Sequence, residues 1–248
     1  MSEKARYATA HWLQFQDVTT PDQLDLSAQP QGAMSWQIGP SGPVGPDGYR
    51  LPGKIWCAVG LFPDLAPARA ALHARELYMP FVASAVESWH QLLLPVRHQG
   101  QCNYLDRECP GELFAVSSPD PGGALMVITT AGYHPGPKVE RLIAFRRGVD
   151  EVNDWLQQAD GCLASRPITP HRFGDDGFTL SAWRDDASML NAMYRAGTHR
   201  EKMDWHKSVS AFDRSSFTRL RIVDTCGQWD GRDPLGGMRF TSFAGTSL

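Results

Sequence analysis

The sequence predicts an α+β protein in which one order of elements, β-α-β-β-α-β, runs through the chain twice. Three observations carry this. Apolar, β-branched runs at 54–62, 124–133 and 178–184 are each bounded by Pro, Gly or Asp turn signals. The segment 138–158 carries Leu142, Phe145, Val149, Val152, Trp155 and Leu156 at largely helical spacing. A connection at 99–122, containing Pro, Gly and acidic residues, separates two portions of similar order.

In the first portion, 8–18 reads as a strand and Pro21 opens a stunted helix to about 26. A short strand at 34–38 precedes the loop GPSGPVGPDGYRLPG, and 54–62 (KIWCAVGLF) is a clear strand. Helical stretches follow at 66–76 and 78–86, then an apolar run at 90–96. The second portion starts with the strand ALMVITTAGY, and Pro137 sits where a helix tolerates it best, in the first turn. Asp160-Gly161 ends that helix. Pro167 and Pro170 reduce 162–172 to an edge strand or a loop. After the strand 178–184, Asp185 or Asp186 can cap a helix running to about 207, and 217–225 alternates as a closing strand. The order is ferredoxin-like, and two such halves can join their sheets into one α+β barrel. The division expected is 1–98, a connection at 99–122, a second half at 123–235 and a tail at 236–248.

Composition narrows the function. With 248 residues, 42% hydrophobic and 21% charged, the chain is globular and large enough to need no disulfide staples. A net charge of −3 supplies no global attraction to nucleic acid or anionic membrane. No apolar run reaches the roughly 20 residues of a membrane span, and the first residues lack a signal-peptide core. A soluble, cytoplasmic protein is expected. The five cysteines form no CxxC pair, so reduced thiols are expected rather than a zinc knuckle.

The common catalytic motifs are missing: there is no GxxxxGK[ST], GxGxxG between strand and helix, GxSxG or HExxH. The Asp pairs at 175–176 and 185–186 sit at turn and cap positions rather than as a carboxylate dyad. The histidines say more. His199 and His206 lie seven residues apart on the last helix, sharing a face with Ala192, Ala196 and Met203. Small residues there leave room for something flat, and a lone helix imidazole facing an apolar pocket can hold a haem iron. Spacing alone favours an ordinary surface or capping histidine.

Four motifs in order sharpen this. They are IGPSGPVGPDGYRLPGKIWCAVGLFPD, ESWHQLLLPV, FTLSAWRDDASMLNAMYRAGTHREKM and the late GQWDGRDPL. Together they resemble the spheroidene monooxygenase family over roughly 33–235. The resemblance implies a haem-dependent oxygenase on a fold of the dimeric α+β barrel type. His199 then takes the place of the axial iron ligand, with Ala196, Met203 and Trp183 beside the cofactor. Trp183, and Trp89 in the matching position of the first half, fit core or pocket wall. Trp229, Gly231, Asp233 and Pro234 read as a structural turn. The chain departs from the family pattern at RPITPHRFGDD, where Gly and Glu give way to Pro170, His171 and Arg172. His171 and Arg172 become candidates for binding substrate or oxygen opposite the iron ligand. A small-molecule substrate is implied, and an electron donor and self-association are compatible with it. Two alternatives stay open: dehydration or nitrogen-transfer chemistry on the same haem, and a cofactor-free barrel that binds a ligand.

Overall fold

The computed structural model describes residues 3–26, 28–101, 113–132, 138–169, 177–195, 212 and 214–236. Its strands are β1 (Tyr7–Thr19), β2 (Ser35–Pro40), β3 (Gly53–Phe62), β4 (Glu87–Gly100), β5 (Leu125–Gly132), β6 (Cys162–Ile168), β7 (Gly177–Trp183) and β8 (Arg214–Gly227). The helices are α1 (Leu65–His73), α2 (Val139–Gln157) and α3 (Asp186–Leu190), the last continuing as a π-helical turn at Asn191–Arg195. The expected helix at 78–86 is only a 3-10 turn, Pro80–Ser84, which Pro80 opens. The apolar run at 90–96 is the middle of the 14-residue strand β4.

Among the described residues the strands form one antiparallel sheet of eight, ordered β2-β3-β1-β4-β8-β5-β7-β6. Each half keeps the ferredoxin-like order, with its first strand beside its third and fourth. The halves join through their last strands, β4 and β8, paired from Trp89↔Gly227 to Gly100↔Ser216. Pro167 lies in β6 at the sheet's edge, where a missing N–H is harmless, as the sequence predicts. Pro95 lies in a central strand, and the β4–β8 register shifts beside it.

Both faces of the sheet are apolar because strand residues alternate. In β1, Ala8, Ala10 and Trp12 point to an inner core shared by both halves, with Trp89, Met126, Leu180, Leu220 and Trp229. Leu13 and Phe15 point the other way, toward the 3-10 turns that cover the first half. The sheet curls around the inner core until its edges approach, and Thr169 N donates to Pro40 O at 3.5 Å. Trp229 plugs one end, its ring 5.8 Å from Trp12. The expected turn follows it: Asp230 and Gly231 adopt φ of 53° and 71°, and Trp229 N donates to Arg232 O at 2.8 Å.

Candidate functional site

On the helix side of the second half, side-chain size falls along the strands. In β7 the residues on that face run Trp183, Ser181, Thr179, Gly177; in β5 they run Leu125, Val127, Thr129, Ala131. The large end is filled. Trp183 and Leu125 pack with Leu156 of α2 and with Met189, Ala192 and Met193 of the last helical segment. The small end is left open and forms a cleft. Its floor is Thr129, Ala131, Gly177 and Thr179; Phe145, Arg146 and Val149 of α2 form the wall; Thr169 and Arg50 complete it.

Arg50 belongs to the first half, at the end of the Gly/Pro loop. It reaches the second half because that loop lies on α2. Arg50 donates to Gly42 O at 2.9 Å and to Asp150 of α2 at 2.5 Å. Arg146 of α2 donates back to Gly48 O at 2.6 Å, and its guanidinium stacks 4.8 Å from the centre of the Tyr49 ring. Gly48 has φ +86°, and a Cβ there would meet the Leu142 side chain at 2.8 Å. Only glycine allows the loop to approach α2 this closely.

The helix that leads away from this face begins as expected. Asp185 accepts a hydrogen bond from Ser188 N at 2.7 Å, an N-cap. Hydrogen bonds from Ser188 and Arg184 hold its carboxyl below the usual range. Asp186 pairs with Arg219 at 3.0 Å and with Arg221 at 2.6 Å, and Arg221 also forms a forked pair with Asp120. These contacts tie the start of α3 to β8 and to the connection between the halves.

His171, Arg172, Ala196, His199, Met203 and His206 lie outside the described residues. Trp183 is described: it is fully buried on the helix side, and its indole N–H donates to Ser181 Oγ at 2.9 Å. It stands four residues along β7 from Thr179, which is about 13 Å. Trp89 does not occupy the matching place. It lies in β4, the counterpart of β8, and faces the inner core against Trp12. The cause is topological: Trp183 lies in the third strand of its half and Trp89 in the fourth strand of the other, on the opposite face of the sheet. The lining residues Arg50, Arg146, Thr129, Thr169 and Thr179 were not anticipated. A size gradient at every second residue of β5 and β7 was available as a signal for the floor; nothing local marks Arg50.

A second buried polar feature lies on the helix side of the first half. His11 of β1 and His90 of β4 face each other across the strands, with Nδ1 atoms 2.9 Å apart. One must donate and the other accept, so both rings cannot be charged, and as neutral rings they are of opposite tautomer. Burial lowers His11 to about 3, with help from Arg75. Burial, then His11 and Arg75, lower His90 to about 2. Among the described residues no group of three or more His, Cys, Asp or Glu could hold a metal ion. The described cysteines Cys57, Cys162 and Cys226 are free thiols, and burial raises Cys57 and Cys162 to about 12.

No family model matches the chain. A spheroidene monooxygenase from Cereibacter sphaeroides is 26% identical over 196 residues, covering 73% of this chain and 53% of that protein. The chain therefore spans about half the length of that relative. One from Rhodobacter capsulatus is 24% identical over 183 residues, covering 73% of this chain and 72% of the relative. Two solved aldoxime dehydratases, one in complex with butyraldoxime, each give a TM-score of 0.56. They are 11% and 13% identical, covering 88% and 90% of this chain and 79% and 83% of theirs, a likeness of fold. No helix among the described residues is long and apolar enough to cross a membrane. By sequence the chain is a distant relative of the spheroidene monooxygenases, and it is built on the architecture seen in aldoxime dehydratase.

Proposed function

We propose that the chain is a haem-dependent, monooxygenase-like oxidoreductase acting on an apolar or small organic substrate. Cofactor and substrate lie on the helix side of the second half. One coincidence carries this: the strand side chains shrink to Gly and Thr beneath α2, and α3, which precedes His199 in the sequence, packs on that same face of the sheet. The lining suits an apolar group with an anionic edge. Phe145, Val149 and Ile168 are apolar, and Arg50 and Arg146 are cationic.

Haem, when bound, supplies one-electron and dioxygen chemistry that no side chain offers. The chain's own residues do the rest. His199 would hold the iron, Ala196 and Met203 would border the cofactor, and Trp183 would brace the sheet face beside it. His171 and Arg172 would meet the substrate. Phe145 and Val149 exclude water, which strengthens every polar contact inside. Thr129 and Thr179 present hydroxyls that can orient a polar group.

Haemin titrated into the purified chain tests this by absorbance. A Soret band saturating near one haem per chain is expected, lost or shifted in His199→Ala and kept in His206→Ala. A protein that stays colourless overturns the proposal and leaves a ligand-binding barrel. An unaltered band in His199→Ala removes that residue as the ligand. With the loaded protein, oxygen incorporation into a product separates monooxygenase chemistry from dehydration of an aldoxime.

A further inference from the structure

We infer that the cleft beneath α2 is a carboxylate-binding site formed by Arg50, Arg146 and Thr169. Two guanidinium groups line it while only 8% and 3% of Arg50 and Arg146 are exposed. Buried cations are stable when anions or several acceptors meet them. Asp150 meets Arg50, but from the rim, where about a third of its side chain is exposed. Among the described residues, the Arg50 guanidinium donates to Gly42 O and to Asp150. Thr169 supplies an independent observation. It lines the same cleft, is 5% exposed, and its Oγ1 has no partner among the described residues. Buried hydroxyls are seldom left unpaired, so an external acceptor belongs beside it. A carboxylate can accept from Arg50 and from the Thr169 hydroxyl beside the Arg146 charge: its planar pair of oxygens matches the guanidinium fork and can also accept from a hydroxyl. The apolar wall of Phe145 and Val149 suits a ligand that carries hydrocarbon next to its carboxylate. The anchor is assembled from both halves, Arg50 from the loop of the first and Arg146 from α2 of the second.

Since this anchor rests on the cleft being the ligand site proposed above, its carboxylate belongs either to haem itself or to an organic acid bound there. Binding of haemin, haemin dimethyl ester and phenylacetate to the full chain separates these sources. Haemin and its ester are followed by absorbance, phenylacetate by calorimetry on haem-free protein. Arg146→Gln should weaken a carboxylate probe at least tenfold, the scale of one charge-assisted hydrogen bond. Arg146 also supports the loop, so Thr169→Val, which keeps the side chain's shape, is the second variant; about threefold to tenfold weakening is expected. Weaker haemin with unchanged ester places a haem carboxylate in the anchor. Weaker phenylacetate with unchanged haemin places a substrate carboxylate there. Unchanged binding of every probe in both variants overturns the inference, as does wild-type protein that binds haemin and its ester equally and ignores phenylacetate. Absence of a Soret band defeats the haem proposal alone, because the phenylacetate arm still decides the anchor.

Discussion

At His11 and His90, burial makes the protein's stability depend on pH in a defined window. Both rings are neutral in the folded state, with pKa values lowered to about 3 and about 2 from 6.5. The unfolded chain takes up these protons below about pH 6.5, so it binds more protons than the folded chain there. Stability is therefore fully present above 6.5 and is lost as pH falls toward 3. Asp120, whose carboxyl Arg221 holds below 3.8, adds a loss only at the acid end. Denaturation midpoints should be level from pH 8 to 7 and decline steadily from 6.5 to 4. Replacing both rings, as in His11→Leu with His90→Leu, removes each partner of the pair together and should cost little at pH 8. It should also flatten the decline. A double variant with the wild-type slope would show that other groups set the acid sensitivity.

At the level of single elements, β7 is a strand whose face tapers, and that taper makes the cleft. Filling it is the direct check. Thr179→Phe puts an aromatic ring where Thr179 and Gly177 leave room, against Phe145 and Val149 of α2. Binding of haemin or phenylacetate should fall at least tenfold. Because the cleft is open at this end, the cost in stability should stay below about 2 kcal/mol, within the ordinary range for overpacking. Full binding by a folded Thr179→Phe protein would move the ligand elsewhere. The same element explains why Trp183 is fully buried and yet is not part of the cleft lining. It marks the filled end of the face, where Leu156 and Met189 cover it.

Across the whole molecule, the junction of β4 with β8 makes one sheet from two halves, and the curl gives them one inner core. Trp12 comes from the first half and Trp229 from beyond β8, yet their rings meet at 5.8 Å. We propose that 1–98 and 123–235 are units of topology and not units of stability. Trp12→Ala should destabilise the protein by about 3–5 kcal/mol. Its unfolding, followed by far-ultraviolet circular dichroism and by fluorescence, should remain a single shared transition. Two separate transitions, or a second half that refolds cooperatively after cleavage between 99 and 122, would show independent folding units.

What could be read in the chain alone is whatever depends on neighbours in sequence. The strand at 54–62, the helix at 138–158, the Asp185 cap and the Trp229 turn were legible because periodicity, capping and turn chemistry act over a few residues. Two ferredoxin-like orders followed from the same local signals. The tertiary structure alone decided the rest. Arg50 and Asp150 are 100 positions apart, and His11 and His90 are 79 apart. Neither pair has a local signature, because each depends on strand register and on how the sheet curls. Strand β4 was underestimated for a related reason: its polar end, Arg97 to Gly100, is held in the sheet by pairing with β8 and not by its own propensity. The cleft belongs with these. The taper of β5 and β7 supplies its floor, but Arg50 joins it only because a loop of one half closes on a helix of the other, and that contact is set by the packing of the whole sheet.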